Sequence, residues 1–242
     1  MVEIIGLDLL KRESQLAIRQ LAVATDHLTW QALAPHIWRM NRPVGLVRAS
    51  PRQETKQRLI RVGLRLMLER GYNGVGLQNI LSETGVPKGS FYHHFTSKED
   101  FALQVVDAYV ADVHALLEAT LSDRLRPPLE RVRSFFEGVR DSYAAQGYLG
   151  CFLGALGQEL SGASEVFRRK IEGCVGAIAD RLAICLEEAR ASGDLPATTD
   201  PAQMADVLVD AWEGAAFRTR LVRNGRPLDA VLDFYFAAVT AR

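Results

Sequence analysis

Apolar residues in this chain recur at steps of three and four rather than two. That period constrains the fold more than any other feature, because side chains so spaced share one face of an α-helix, whereas a half-buried strand needs strict alternation. From Thr55 to Arg70, Leu59, Ile60, Val62, Gly63, Leu66 and Met67 fall on one stripe, with Lys56, Arg58, Arg61 and Arg65 largely outside it, and Gly71 supplies a C-terminal stop. Leu77, Ile80 and Leu81 form a second, shorter face that ends at Gly85, and Pro87 forbids its continuation. A third short helix is predicted from Lys88 to Phe95. Ser97, with Glu99 and Asp100 behind it, has the chemistry of an N-cap for a long helix from Lys98 to Ser122 that buries Phe101, Val105, Tyr109, Val113, Leu116 and Leu117. Further helices are expected between Pro128 and Gly147, through the nearly uncharged run 150–160, and over Glu165 to Ala191, Pro201 to Arg223 and Leu228 to Val239. The fold class is all-α.

A chain of 242 residues that is 48% hydrophobic and 24% charged can bury a sizeable core, which argues against a disordered or low-complexity protein. The 29 basic and 29 acidic residues cancel, yet they are not evenly spread. Residues 1–98 hold 14 basic and 7 acidic side chains, and residues 99–242 hold 15 and 22, so a basic segment precedes an acidic one. Cys151, Cys174 and Cys185 form no CxxC pair and have no histidine at ligand spacing, so no metal or other cofactor is expected and a reducing cytoplasm fits. No apolar run reaches membrane-spanning length and no signal-peptide pattern is present, so no membrane partner is expected. No triad-like grouping or glycine-rich phosphate loop points to an enzyme.

Three short helices with a glycine-containing turn between the second and third are what a helix-turn-helix requires. On the third, Phe91 and Phe95 are spaced i, i+4 and point together inward, which leaves Gly89 and His93 on the opposite face with Ser90 and Tyr92 on its flanks. Gly89 allows close approach to a phosphate or base edge, Ser90, Tyr92 and His93 offer hydrogen bonds, and Lys88 and Lys98 bracket the face with positive charge. Residues 52–98 carry eight basic and three acidic side chains, a surplus suited to phosphate. Spacing alone leaves the plainer reading open, that of an ordinary small helical core with exposed Tyr and His.

The run Gly85-Val86-Pro87-Lys88-Gly89-Ser90-Phe91-Tyr92-His93-His94-Phe95, followed by Ser97-Lys98-Glu99, resembles the DNA-binding signature of the TetR/AcrR family of bacterial repressors, over about Gln53 to Val113. The resemblance implies a homodimer on a palindromic double-stranded DNA operator, with the Lys88 to Phe95 helix in the major groove. Ser90 and His93 would then meet bases or adjacent phosphates, and Tyr92 and Lys98 the backbone. Many members have a capping Thr where this chain has Gly76-Leu77-Gln78, which puts one usual phosphate contact in doubt. The division implied is an extension over 1–51, a DNA-binding domain over 52–112, and a larger helical domain over 113–242 that binds a small-molecule effector and dimerises through the helices Glu165 to Ala191 and Pro201 to Arg223.

The segment from Gly150 to Glu159 resembles a motif of the AcuR/NemR-like subgroup, which suggests an unsaturated acid or electrophile as effector. Tyr109, Tyr143, Cys151, Gln158, Glu159 and Trp212 are the candidate effector residues, with His114 and Glu213 as further ones. Two alternatives stand beside that reading: Glu159 as a partner for the N-terminus of a neighbouring helix, and Cys151 as inert packing rather than a reactive thiol. Residues 1–39 do not fit the family pattern, so Met40 is expected to be the natural start, the competing reading being a helical extension around Leu9 to Ala24. If the basic face did not bind DNA, the chain would be a ligand or redox sensor acting through a protein partner.

Overall fold

In the computed structural model, residues 50–240 are described, and these contain helices and no strand. The expectations about residues 1–39, the start at Met40 and the helix around Leu9 to Ala24 lie outside the described residues. Among the described residues nine helices follow in order: α1 Pro51–Arg70, α2 Leu77–Thr84, α3 Lys88–Tyr92, α4 Lys98–Leu121, α5 Pro128–Ala145, α6 Phe152–Leu160, α7 Glu165–Ala191, α8 Pro201–Val222 and α9 Arg226–Thr240.

Helix α1 starts at Pro51, one turn before the expected Thr55. Periodicity marks only where burial begins, while the actual start is set by Ser50, whose hydroxyl accepts the Gln53 N–H as the Gln53 side chain accepts the Ser50 N–H. The buried face holds Leu59, Ile60, Leu64, Leu66, Met67 and Leu68 and leaves Val62 half-exposed. Gly76 is a weak N-cap for α2, as its sequence suggests, but Asn79 compensates by reaching back to the Gly76 N–H at 2.9 Å. Gly85 ends α2 in the left-handed region at φ 65°, which a glycine adopts without strain. Regular helix in α3 stops at Tyr92 rather than Phe95, although the Phe95 N–H still bonds to the Phe91 carbonyl at 3.0 Å.

Phe91, Phe95 and Phe101 close the small core of this head, with ring centroids 4.8–5.4 Å apart. Their packing depends on Gly63: a Cβ there would stand 2.3 Å from Phe101 Cζ. Helix α4 leaves this core and enters a second one, where it packs on α5 and α7, and α7, α8 and α9 complete the body. Along α4 the expected Phe101, Val105, Tyr109, Leu116 and Leu117 are buried, whereas Val113 is half-exposed.

The C-terminal end of α4 is held by Arg131, itself 3% exposed, which donates to the Leu121 carbonyl at 2.6 Å and to Glu188 at 2.5 Å. That hydrogen bond holds the Glu188 carboxyl below its ordinary pKa. Arg131→Ala would strip the buried Leu121 carbonyl of this partner and leave Glu188 with Arg124 alone, a loss of about 2 kcal/mol. We expect the melting temperature to fall by about 5 °C. A group whose folded pKa is depressed contributes stability above its unfolded pKa and loses it as the pH falls, so in a pH series of melting curves the gap between parent and variant should narrow below the carboxylate range without closing, because the bond to the Leu121 carbonyl does not titrate.

Candidate nucleic-acid interface and internal cavity

Helix α3 presents Lys88, Gly89, Tyr92 and His93 to solvent, with Tyr92 half-exposed at 50% and Ser90 partly covered. A Cβ built on Gly89 meets nothing within 4 Å, so nothing within the fold requires glycine there. Behind the face, Arg52 donates to the His93 carbonyl at 3.1 Å and fixes the turn after α3 against α1. His94 is half-buried beside Arg52 and Lys56, and desolvation, with their charges second, lowers its pKa. Lys98 is placed differently from the other expected contacts. It is half-buried, donates to the Tyr72 carbonyl at 2.7 Å and sits 4.1 Å from the Tyr72 ring centroid. Desolvation lowers its pKa, opposed by the Glu159 charge.

Inside the body, Tyr109, Tyr143, Cys151 and Trp212 converge on a cavity of about 40 Å³, joined there by Glu213. Sequence periodicity assigned these residues to four separate helical segments; tertiary packing brings them together. The walls are aromatic and aliphatic, with the Trp212 ring centroid 4.8 Å from that of Phe136 and Tyr109 5.3 Å from Phe152, both pairs tilted. The polar groups stand close, with the Tyr109 hydroxyl 3.9 Å from the Cys151 sulfur. Gly154 makes room for the carboxyl of Glu213, since a Cβ there would lie 2.3 Å from its Oε2.

Burial pushes all four polar groups towards their protonated forms. Both tyrosines are raised well above the ordinary range, first by desolvation and then by Cys151. Desolvation also raises Glu213, and the Cys151 thiol is pushed up strongly by desolvation and by the Glu213 charge. The result is three neutral hydrogen-bond donors, Tyr109, Tyr143 and Cys151, beside the Glu213 carboxyl in an aromatic shell.

Gln158 and Glu159 do not line this cavity. They border an open cleft of about 400 Å³ between the end of α1 and helices α6 and α8, whose wall also includes Cys151, Glu213 and Arg220. Gln158 is exposed, so α6 is less enclosed than its lack of charge implied. Glu159 accepts two backbone N–H groups, from Tyr72 and Asn73, both at 2.7 Å. It therefore pairs with the turn after α1, not with a helix N-terminus. Arg220 was not singled out by the sequence, since a single Arg on an amphipathic helix looks like solvated surface. His114 is exposed and borders neither space. Among the described residues no group of His, Cys, Asp and Glu could hold a metal ion.

Two family models match the chain: that of bacterial regulatory proteins of the tetR family over residues 59–105, and that of the tetracyclin repressor-like C-terminal domain over 128–235. The transcriptional repressor DhaR of a Mycobacterium species is 34% identical over 78% of this chain and 93% of its own. The transcriptional regulator AcuR of Cereibacter sphaeroides is 38% identical over 78% and 86%, and the transcriptional repressor NemR of Escherichia coli 32% over 74% and 90%. A solved structure of a regulatory protein TetR from Rhodobacter sphaeroides superposes with a TM-score of 0.73 at 36% identity, covering 76% of this chain and 97% of that one.

The state of Cys151 is testable. The thiolate is the nucleophile, so a raised pKa slows alkylation at neutral pH, and the rate climbs with pH for as long as the thiol remains mostly protonated. Iodoacetamide should modify Cys151 at least about tenfold more slowly in the folded protein than in the unfolded chain at pH 7.5. Mass spectrometry of the modified peptide should show a rate still rising at pH 10; a plateau below pH 8 would contradict the assignment.

Proposed function

The chain belongs to the TetR family of bacterial DNA-binding transcriptional regulators, and from that premise we propose that it represses by binding a palindromic operator as a homodimer, which it leaves when a small effector fills the inner cavity. The observation that carries the reading is the solvent face of α3, where a lysine, a glycine with open space before it, a tyrosine and a histidine lie together on a basic head. In this reading α3 lies in the major groove, Ser90 and His93 address base edges or neighbouring phosphates, and Lys88 and Tyr92 hold the backbone. Gly89 lets the helix come close. Lys98 supports the face from behind, through Tyr72. The DNA-binding domain is residues 52–112 and the effector and dimer domain 113–242, with α4 shared between them.

The dimer is supported by where apolar surface remains. Of the nine large hydrophobic residues exposed among the described ones, six lie on α7 and α8: Val166, Ile184, Val207, Phe217, Leu221 and Val222. A second copy of the same two helices would cover them. No described helix is long and apolar enough to cross a membrane. We place the protein in the cytoplasm, with its operator. The donors of Tyr109, Tyr143 and Cys151 suit an effector carrying oxygen acceptors, such as a small unsaturated acid or carbonyl electrophile, set against Trp212.

Binding to the DNA upstream of the protein's own gene should weaken steeply with salt. Replacing both Tyr92 and His93 by alanine should cost about tenfold or more, and Lys88→Ala should lower the salt slope by about one. The absence of a salt-sensitive complex would leave the protein-partner sensor as the better reading. Sedimentation at micromolar concentration should show a dimer, and a monomer there would end the homodimer proposal.

A further inference from the structure

Two side chains of the body grip the backbone of the head, and neither the operator face nor the inner cavity accounts for them. Glu159, in the last turn of α6, accepts the N–H groups of Tyr72 and Asn73, one on each carboxylate oxygen. Gly71 makes the approach possible: its φ is 75°, and a Cβ there would stand 2.7 Å from Glu159 Oε2. The neighbouring carbonyl, that of Tyr72, is taken by Lys98 from α4. The turn after α1 is thus held on its donors by a carboxylate and on its acceptor by an ammonium.

Arg220, near the end of α8, donates to the carbonyls of Leu68 at 2.8 Å, Leu149 at 3.1 Å and Glu69 at 3.2 Å. Leu68 and Glu69 lie in the last turn of α1, where carbonyls lack intrahelical partners and the helix end is negative. No acidic group pairs with Arg220 among the ion pairs of the described residues, so its charge is directed at that helix end.

The same two helices reach the inner cavity. Cys151, the N-cap of α6, lines it, and Glu159 lies eight residues on, a distance of about 12 Å along the axis. Trp212 and Glu213 of α8 line it, and Arg220 follows Glu213 by two turns, about 10 Å. Each helix thus runs from the cavity to a contact with the head.

We infer that Glu159 and Arg220 are positioning residues that set the angle of the reading head on the body, fix the separation of the two recognition helices in the dimer, and carry cavity occupancy to that separation. The inference rests on the repressor reading above and names the contacts through which it would be regulated.

The test uses the full-length protein, its operator, and the same half-sites separated by one additional central base pair, which shifts them by about 3.4 Å and a tenth of a turn. The parent should prefer the natural spacing by about tenfold. In Glu159→Ala and Arg220→Ala that preference should fall to about twofold, with Glu159→Gln between them, as the amide keeps a single acceptor oxygen. A residue that merely stabilised the fold would weaken both complexes equally along with the melting temperature, so an unchanged ratio overturns the inference, as does a parent indifferent to spacing. Transmission is read with Val175→Phe, which fills the inner cavity without any ligand. This change should weaken operator binding in the parent and add less than about twofold in either clamp variant; full additivity, or no effect in the parent, refutes transmission through the clamp. A parent with no salt-sensitive operator complex would instead refute the repressor reading itself.

Discussion

Helix α4 is required by two cores at once, and the rest of the molecule is arranged around that demand. Near its start Phe101 completes the aromatic cluster with Phe91 and Phe95; further along, Tyr109, Leu116 and Leu117 are packed in the body. A single helix of 24 residues has a defined length and twist, so whatever moves its body half moves its head half. Both ends are secured. Ser97 caps the first turn, with Asp100 accepting from Thr96, and Arg131 covers the last carbonyl. Between them, salt bridges from α7 hold its outer side, Lys170 to Asp107 and Arg181 to Glu118. These exposed pairs contribute little individually, and the rotation of α4 about its axis is set by its buried face.

Much of the fold was legible because helix signals are local. The caps at Ser97 and Gly85, the stops at Gly71 and Pro87, and the bounds of Glu165–Ala191 can each be read from a few adjacent residues. The errors share a physical cause. Periodicity reports burial rather than hydrogen bonding, so it placed the start of α1 where burial begins and missed the Ser50–Gln53 capping box. It extended α3 to Phe95 because Phe95 is buried, although the regular helix has already ended.

The site was legible in proportion to how local its chemistry is. The exposed face of α3 follows from a single helix, so Lys88, Gly89, Tyr92 and His93 could be grouped from the sequence. The cavity draws on α4, α5, α7, α8 and the start of α6, and the candidates assembled from single polar or aromatic residues included four that converge and two, Gln158 and Glu159, that border a different space. What separates Glu159 from Cys151 is eight residues of helix, and no pattern along the chain says which end of that helix faces which neighbour. Arg220 was invisible for a related reason: its partners are backbone carbonyls, which carry no residue identity.

The dimensions of the inner cavity bear on how an effector would act. A space of about 40 Å³ holds at most a few waters, and its walls include Phe135, Phe136 and Trp212, all buried, in rotamers set by close packing. A molecule of more than a few heavy atoms enters only by parting these walls, and interiors packed to crystal density yield by displacing whole helices rather than by local compression. An effector seated there would therefore act as a wedge, and its affinity would be the gain from its contacts less the work of prying α4, α5, α7 and α8 apart. Larger ligands do more of that work, so the order of potency within a chemical series need not follow the order of affinity.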